Sequence, residues 1–158
     1  MLIRLSVNGV TYEREVPGRL LLADFLRGTL GLTGTHVGCE HGVCGACTII
    51  INGDSARSCL LLAAQCDGAE VLTVEGLGNV SDLAPLQAAL RDNHALQCGF
   101  CTPGMLMTIT DLLKKYPLET DAEIRGGLSG NLCRCTGYES IVSAVRAVVA
   151  LRNSEREL

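Results

Sequence analysis

The sequence predicts an α+β protein in which a strand-rich N-terminal part is followed by an all-helical C-terminal part. In the first part, segments of alternating apolar and polar residues flank Asn-Gly dipeptides, a pattern that is typical of β-hairpins. In the second part, residues that cap helices precede segments whose apolar residues have helical spacing. We therefore predict two domains, residues 1–76 and residues 77–158.

Two hairpins and one helix are predicted in the N-terminal part. The predicted strands are residues 2–7, 10–16, 48–51, 55–59 and 71–74. The first four strands pair around the turns Asn8-Gly9 and Asn52-Gly53. Apolar residues within 20–26 have helical spacing, whereas residues 31–47 are rich in glycine and have little periodicity, which indicates an ordered loop. Residues 75–79 are predicted to be a linker.

Four helices are predicted in the C-terminal part. They cover residues 83–90, residues 102–116, a segment that begins after Thr120, and residues 136 to about 153. Thr102 is predicted to cap the second helix, with a proline at the first helical position. Thr120 and Glu123 form a capping box for the third helix, and Thr136 and Glu139 form one for the fourth.

Composition and charge argue against several classes of protein. Hydrophobic residues make up 47% of the chain, which is enough for a packed core, so wholesale disorder is not expected. The formal net charge of −4 and the lack of a long basic run argue against nucleic acid as the main partner. The longest apolar run, residues 59–64, is too short to span a membrane.

The nine cysteines point to metal ligation rather than to disulfides. Residues 1–10 lack the apolar segment of a signal peptide, and the cytosol keeps thiols reduced. An odd number of cysteines also cannot all pair within one chain. We therefore predict a cytoplasmic location, and export together with a signal-bearing partner is left open.

Four cysteines in and after the glycine-rich loop, which we call the first cysteine set, match a known cluster-binding pattern. They have the spacing C-x4-C-x2-C-x11-C and are Cys39, Cys44, Cys47 and Cys59. The first three have the spacing of plant-type ferredoxins, in which four thiolates hold the two irons of a [2Fe–2S] cluster. Gly38, Gly42 and Gly45 alternate with these cysteines and permit close backbone approach, positive φ and N–H groups directed at sulfur.

Two other kinds of metal site compete for the first cysteine set. Cys44 and Cys47 could form half of a zinc knuckle, but Cys39 upstream of them and the alternating glycines fit zinc poorly. Cys39 and His41 resemble the first half of a Rieske site, but the second half, C-x2-H, occurs nowhere in the chain. We therefore interpret the three histidines of the chain as solvated residues or neighbours of the ligands, not as ligands.

The second cysteine set lies in the helical part and consists of the pairs Cys98/Cys101 and Cys133/Cys135. One helical turn places the first pair on one side, and an extended segment places the second pair on one face. Both pairs precede predicted helix N-termini, where N–H groups and the helix dipole stabilise negative charge. We predict a second [2Fe–2S] cluster here, with zinc as the alternative. Cys66, in an apolar stretch, is interpreted as an ordinary buried cysteine.

At these motifs the sequence resembles the iron–sulfur subunit of the xanthine oxidase, or molybdenum hydroxylase, family. The resemblance rests on residues 38–48 (GCEHGVCGACT), 97–104 (QCGFCTPG) and 130–138 (GNLCRCTGY), with a further match in the linker at 73–77 (TVEGL). It extends from residue 2 to about residue 151 and shows no departure at any predicted ligand position.

This resemblance implies a β-grasp, plant-type ferredoxin-like domain followed by a four-helix bundle that carries the second cluster. It implies an electron-transfer subunit of a multi-subunit oxidoreductase, with no substrate chemistry on this chain. A large subunit with molybdopterin cytosine dinucleotide would oxidise an aldehyde, an N-heteroaromatic compound or CO. A medium subunit would bind FAD, and the complex would be a dimer of heterotrimers without nucleic acid or a membrane span.

The resemblance also implies a direction for the electrons. They would pass from molybdenum to the cluster of the helical domain, then to the ferredoxin-like cluster, and then to FAD or another acceptor. Gln97 and Cys135 would lie where family members contact the pterin edge of the molybdenum cofactor. From the residues alone, a free-standing ferredoxin-type carrier and a zinc-dependent interaction module stay open as alternatives. The additional helical part argues against a free-standing carrier. Measuring iron against zinc would distinguish the electron-transfer subunit from the zinc-dependent module.

Overall fold

The computed structural model describes residues 1–156 and contains a five-stranded sheet followed by a group of helices. The strands are β1 (Leu2–Val7), β2 (Val10–Glu15), β3 (Thr48–Ile51), β4 (Asp54–Arg57) and β5 (Glu70–Leu72). The helices are α1 (Leu22–Asp24), α2 (Pro85–Asp92), α3 (Thr102–Lys115), α4 (Asp121–Leu128) and α5 (Glu139–Arg156). A π-helical turn, Phe25–Thr29, directly continues α1. Short 3₁₀ turns cover Ser58–Leu60, Ala63–Cys66 and Val74–Gly76.

The sheet is mixed and has the strand order β2-β1-β5-β3-β4. Strands β1 and β5 are parallel, whereas the other neighbouring strands are antiparallel. Both hairpins turn at the predicted dipeptides: Asn8 and Gly9 have φ of 52° and 80°, and Asn52 and Gly53 have φ of 50° and 92°. Two consecutive positive φ values define the turn whose twist matches paired strands, and asparagine and glycine adopt them most readily.

The N-terminal core lies between the sheet and α1. Alternate residues of β1 point into it, so Ile3, Leu5 and Val7 are buried while their neighbours are more exposed. Leu22 of α1 and Phe25 of the following turn are fully buried and pack in the same cluster of residues. A helix packed on a mixed sheet is the layout of the predicted ferredoxin-like domain, and the predicted α+β fold is confirmed.

The helical part has its own core, which is formed by α2, α3, α4 and α5. Helix α3 is its central element, because one side packs in this core while the other contacts β3 and β4 of the sheet. Its buried residues are Gly104, Met105, Leu106, Met107, Thr108, Ile109 and Asp111. Within residues 1–156, no helix is both long and apolar enough to cross a membrane.

A polar contact joins α3 to the hairpin of β3 and β4. Ser55 donates a 2.7 Å hydrogen bond from its hydroxyl to Asp111, and the Lys115 ammonium lies 2.8 Å from the other oxygen of the same carboxylate. Lys115 also contacts Asp54 at 2.6 Å. Burial alone would raise the pKa of Asp111, but the hydrogen bonds from Lys115 and Ser55 lower it overall. The carboxylate is therefore held in its charged form where the two parts of the chain meet.

Of the three predicted helix caps, one is confirmed and two are wrong. The capping box of Thr120 and Glu123 is present, with both reciprocal hydrogen bonds. Thr102 is the first residue of α3 rather than its cap, because Cys101 before it is already helical, with φ −80° and ψ −16°. Helix α5 begins only at Glu139, so Thr136 is too far upstream to cap it. Gly137 and Tyr138, which lie between Thr136 and Glu139, both adopt positive φ.

Candidate metal centres

The loop that carries the first cysteine set is held in a conformation that depends on glycine. Gly42 and Gly45 have φ of 83° and 74°, a region that other residues adopt at a cost. A Cβ on Gly42 would lie 2.5 Å from the Leu60 side chain, and a Cβ on Gly45 would lie 2.5 Å from the carbonyl oxygen of Gly130. The predicted roles of these two glycines therefore have a steric basis, which is close packing of the loop against its neighbours.

The sulfurs of the first cysteine set come together as two pairs. Cys39 contacts Cys44, whose backbone N–H donates to the Cys39 Sγ at 3.4 Å. Cys47 is hydrogen-bonded to Cys59, and both are buried. The backbone N–H of Cys44 lowers the pKa of the Cys39 thiol to about 6, whereas burial, with Cys47 beside it, raises the pKa of the Cys59 thiol to about 11. The pair Cys39/Cys44 is thus partly exposed, and the pair Cys47/Cys59 is buried.

The second cysteine set also forms two pairs, and each pair combines distant segments. The sulfurs of Cys98 and Cys135 are 3.5 Å apart and exposed. Cys101 is hydrogen-bonded to Cys133 deeper in the fold. The sequence predicted that the four thiols converge, but not that the partners would be exchanged between the two motifs.

The surroundings of the second set shift the pKa values of its thiols in opposite directions. The backbone N–H of Phe100 lowers the pKa of the Cys98 thiol, and burial, with Cys133 beside it, raises the pKa of Cys101 to about 12. Burial would also raise the pKa of Cys133, but hydrogen bonds, chiefly from Thr136, lower it overall. A bound metal ion would deprotonate coordinating thiols outright.

The chemistry of both donor sets fits a [2Fe–2S] cluster. Such a cluster takes two thiolates on each of two irons, and each set offers two sulfur pairs. Each set therefore offers the four thiolates that a [2Fe–2S] cluster takes.

The two cysteine sets lie on loops that touch each other. The backbone N–H of Leu132 donates a 2.8 Å hydrogen bond to the carbonyl oxygen of Cys44. Beside it, Asn131 donates from its side-chain amide to the carbonyl oxygen of Gly45 at 3.0 Å. A Cβ on Gly104, in the first turn of α3, would lie 2.3 Å from the same oxygen, so only glycine permits this approach.

An aromatic contact joins the loops at a second place. Phe100 stacks on His36 with ring centroids 5.0 Å apart, and the His36 Nδ1 lies 2.8 Å from the Phe100 carbonyl oxygen. A Cβ on Gly38 would lie 3.3 Å from the Phe100 ring and 3.2 Å from the Cys44 Sγ. The ring therefore fills the space between the second cysteine set and the first. His36 contacts Phe100, which lies between Cys98 and Cys101 in the chain.

Gln97 lies at the surface beside the second cysteine set, whereas Cys66 lies in the N-terminal core. Gln97 is exposed, and its amide donates a 3.2 Å hydrogen bond to the carbonyl oxygen of Cys135, so the two predicted pterin contacts are adjacent. Cys66 is buried in the N-terminal core and its thiol lies 3.5 Å from the carbonyl oxygen of Leu62. Burial raises the pKa of the Cys66 thiol. Cys66 thus has the surroundings of a core residue.

Several residues near the sulfurs were not singled out by the sequence analysis. They are Phe100, Asn131 and Tyr138, whose partners are far away in the chain or in an irregular loop. The Tyr138 hydroxyl accepts from the backbone N–H of Cys133 and donates to the carbonyl oxygen of Asn131. The only local signal was their position inside the cysteine motifs, which does not reveal what they contact.

Comparison with protein families divides the chain in two. Residues 5–73 match the family described as a 2Fe-2S iron-sulfur cluster binding domain. Residues 73–146 match the family described as a [2Fe-2S] binding domain. Each match contains one cysteine set, so together they support two [2Fe–2S] clusters.

The chain is similar over nearly its whole length to subunits of known oxidoreductases. It is 56% identical over 149 residues to the caffeine dehydrogenase subunit gamma of Pseudomonas sp. (strain CBB1), covering 92% of this chain and 89% of that one. It is 55% identical over 143 residues to the nicotine 6-hydroxylase small subunit of Paenarthrobacter nicotinovorans, covering 90% and 86%. A chain in the crystal structure of quinoline 2-oxidoreductase from Pseudomonas putida 86 superposes with a TM-score of 0.93, 49% identity and coverage of 99% and 96%.

Proposed function

The chain belongs to the [2Fe–2S] iron–sulfur subunits of the xanthine oxidase, or molybdenum hydroxylase, family, and on that premise we propose that it relays electrons within such an oxidoreductase. The second cysteine set faces a molybdopterin-containing large subunit, and the first faces a FAD-containing subunit or another acceptor. A [2Fe–2S] cluster held by each set supplies one-electron storage. The chain itself contributes ligands, spacing and docking surfaces, and no bond chemistry with the substrate.

The observation that carries this proposal is the direct bond between the two cysteine loops. From Cys44 to Cys133 the path consists of backbone bonds and the single hydrogen bond from Leu132 to the Cys44 carbonyl oxygen. Electron tunnelling falls steeply with distance and is favoured by bonded paths, so a relay works best when its two centres lie close together, as these two loops do. A protein that used its metals only to stabilise two domains would have no need of a bonded path between the sites.

Exposed apolar side chains surround each set and support two docking surfaces. Phe100 and Leu132 are exposed beside the second set, and Val43 and Leu60 are exposed beside the first. Apolar residues at the centre of a patch are typical of protein interfaces. We propose that the patch with Gln97 and Cys135 binds the molybdenum subunit at the pterin edge, and that the patch around Val43 binds the subunit of the electron acceptor.

We also propose the cluster ligands, the domain boundary and the composition of the complex. The ligands are the eight cysteines of the two sets, four per cluster, with Cys66 left as a free thiol. The domain boundary lies between residues 76 and 77, where the 3₁₀ turn Val74–Gly76 ends. The complex is a dimer of heterotrimers in the cytoplasm, where thiols are kept reduced and available for metal ligation.

The substrate class is taken from the relatives. Their names refer to caffeine, nicotine and quinoline, which are all nitrogen heterocycles. We therefore propose that the complex oxidises an N-heteroaromatic compound and not an aldehyde or CO. The substrate would bind to the large subunit, so this part of the proposal is tested on the whole complex, by comparing reduction of its clusters by N-heteroaromatic compounds and by aldehydes.

A cross-linking map of the native complex tests the relay and its orientation. The complex is isolated without denaturation, its subunits are identified, and cross-linked peptides are assigned by mass spectrometry. Peptides containing residues 97–101 and 133–138 are expected to link to the molybdenum subunit, and those containing residues 40–44 and 60 to another chain. Linkage of residues 40–44 to the molybdenum subunit would reverse the proposed path. A chain that migrates alone on gel filtration of native extract would instead be a free carrier.

A further inference from the structure

The Thr136 hydroxyl lies against one sulfur of the second cysteine set. Its Oγ1 is 3.1 Å from the Cys133 Sγ and 3.1 Å from the backbone nitrogen of Tyr138. The Tyr138 N–H has to donate to this oxygen, since an amide nitrogen cannot accept. A hydroxyl has one hydrogen, and here that hydrogen is left free to be directed at the sulfur. Because a thiolate ligand has no hydrogen to donate, the contact to a ligated Cys133 would be a hydrogen bond from the Thr136 hydroxyl.

The loop conformation keeps this hydroxyl in place. Gly137 and Tyr138 have φ of 63° and 69°, and the second value is costly for a residue with a side chain. This turn brings the Tyr138 N–H back to Thr136, while the Tyr138 hydroxyl accepts from the Cys133 N–H at 2.9 Å. The amide of Cys133 is thereby occupied, and its sulfur relies on Thr136 for a side-chain donor.

Backbone N–H groups lie beside several sulfurs of both sets, including that of Cys133, which has those of Cys135 and Thr136. Backbone N–H groups serve Cys39, Cys59 and Cys98, from Cys44, Gly42 and Phe100 respectively. Among the described residues, Cys133 is the one predicted ligand whose sulfur is within hydrogen-bond distance of a hydroxyl. The second set thus has a donor that a side-chain substitution can remove, and the first set has none of this kind.

We propose that Thr136 raises the reduction potential of the cluster held by the second cysteine set, by donating this hydrogen bond to the Cys133 sulfur. The inference rests on the proposed function, in which Cys133 is a ligand. A reduced cluster carries one more negative charge than an oxidised one, so a donor to a ligand sulfur stabilises the reduced form more. In the relay this makes the second set a better acceptor for electrons that arrive from the molybdenum side.

Redox titration of two variants tests the proposal. Thr136→Val replaces the hydroxyl by a methyl group of similar size, and Thr136→Ser keeps the hydroxyl. The holoprotein is titrated with dithionite and mediators while the two clusters are followed by EPR. The signal of the second set is the one that disappears in Cys101→Ala. At a given potential, Thr136→Val is expected to lower the ratio of reduced to oxidised second-set cluster several-fold. For a one-electron couple, a tenfold change in this ratio corresponds to a shift of about 59 mV in the reduction potential.

The two internal controls are the other cluster and a distant threonine. The potential of the first-set cluster should not move in any variant, and Thr136→Ser should restore the wild-type value for the second. Thr110→Val removes a hydroxyl that is half-buried in α3 and not hydrogen-bonded to a ligand sulfur, so both potentials should be unchanged. An effect of packing alone would not be reversed by serine, which lacks the threonine methyl group.

Three results would overturn the inference. The first is an unchanged second-set potential in Thr136→Val protein that contains both clusters, and the second is a Thr136→Ser potential as low as that of Thr136→Val. The third is loss of the second cluster from both Thr136→Val and Thr136→Ala, because the hydroxyl would then be required for assembly. Failure of the proposed function would be seen separately, as wild-type protein with fewer than two EPR signals.

Discussion

The backbone N–H of Leu132 lies 2.8 Å from the carbonyl oxygen of Cys44 and donates a hydrogen bond to it. Leu132 precedes a cysteine of the second set, and Cys44 belongs to the first, so this bond joins the loops of the two predicted clusters directly. Asn131 reinforces it from the side, through its 3.0 Å bond to the carbonyl oxygen of Gly45 and its 2.8 Å bond from the Thr108 hydroxyl. The junction between the loops is therefore polar, buried and satisfied.

Asn131→Ala should destabilise this junction. Asn131 is 2% exposed, and its removal leaves the Thr108 hydroxyl buried without its acceptor, which costs about 1–3 kcal/mol. The melting temperature of the holoprotein is expected to fall, as measured by circular dichroism. Asn153→Ala, at an exposed position of α5, is the matched control and should leave the melting temperature within error. Equal melting temperatures for the two variants would mean that the junction contributes little.

The purified chain should contain iron and sulfide in the proportion of two clusters. We expect about four irons and about four acid-labile sulfides per chain, since each [2Fe–2S] cluster takes four thiolates. Reduced protein should show two distinct EPR signals, because one set lies on a glycine-rich loop and the other between helices. Zinc in place of half of the iron would mean that the second set binds zinc and not a [2Fe–2S] cluster.

Cys66→Ala should keep both clusters. Its thiol is 2% exposed in the N-terminal core, so the substitution removes a small buried group and costs about 1 kcal/mol. Cys47→Ala, also at a buried cysteine, should lose one cluster and destabilise the N-terminal part, because metal ligation is coupled to folding. Iron and sulfide analysis of both variants is the measurement, and loss of iron from Cys66→Ala would mean that a ligand has been misassigned.

Asp111→Asn should weaken the contact between α3 and the β3–β4 hairpin over a wide range of pH. The pKa of Asp111 is lowered in the folded protein, so its stabilising effect is present above the ordinary carboxyl pKa of about 3.9 and is lost only as the pH falls through the lower folded value. The variant should therefore melt several degrees lower than wild type, by the same margin from about pH 8 to about pH 5.

The control for this prediction is Asp92→Asn. Asp92 pairs with Arg91 on the surface, with 61% of its side chain exposed, so little change in melting temperature is expected. A difference between wild type and Asp111→Asn that disappears between about pH 8 and about pH 6 would contradict the lowered pKa, since the carboxyl would then titrate in that range.

Gln97→Ala should impair transfer from the molybdenum side without loss of iron. Gln97 is exposed and hydrogen-bonded to the Cys135 carbonyl oxygen, so its removal alters the surface that we propose faces the pterin and leaves the proposed ligands in place. In stopped-flow experiments with the whole complex, reduction of the second-set cluster by substrate should slow about five-fold or more, equivalent to one hydrogen bond of about 1 kcal/mol.

Gln65→Ala is the matched control for Gln97→Ala. Gln65 is an exposed glutamine of the N-terminal part, distant in sequence from the second set, and its substitution should leave the rate of substrate reduction unchanged. An unaltered rate in Gln97→Ala, with the large subunit still saturated with its cofactor, would show that the pterin edge lies elsewhere.

The features that the sequence predicted correctly are those encoded within a few neighbouring residues. The Asn8-Gly9 and Asn52-Gly53 turns form where they were predicted, with positive φ at both residues, because the local backbone decides them. The capping box of Thr120 and Glu123 needs only three residues between its partners. The spacing of the two cysteine sets likewise predicted two [2Fe–2S] domains, which the family comparisons support.

Other features depended on contacts between segments far apart in the chain. Neither the position of β5 between β1 and β3 nor the pairing of Cys98 with Cys135 follows from the spacing of residues. Thr136 has the sequence context of a helix cap, yet the turn at Gly137 directs its hydroxyl to the Cys133 sulfur. Local propensity determined which loops could hold a cluster. Only the packing of α3 against the sheet, which brings Leu132 to Cys44, decided how the two loops face each other, because that register depends on the shape of two folded cores.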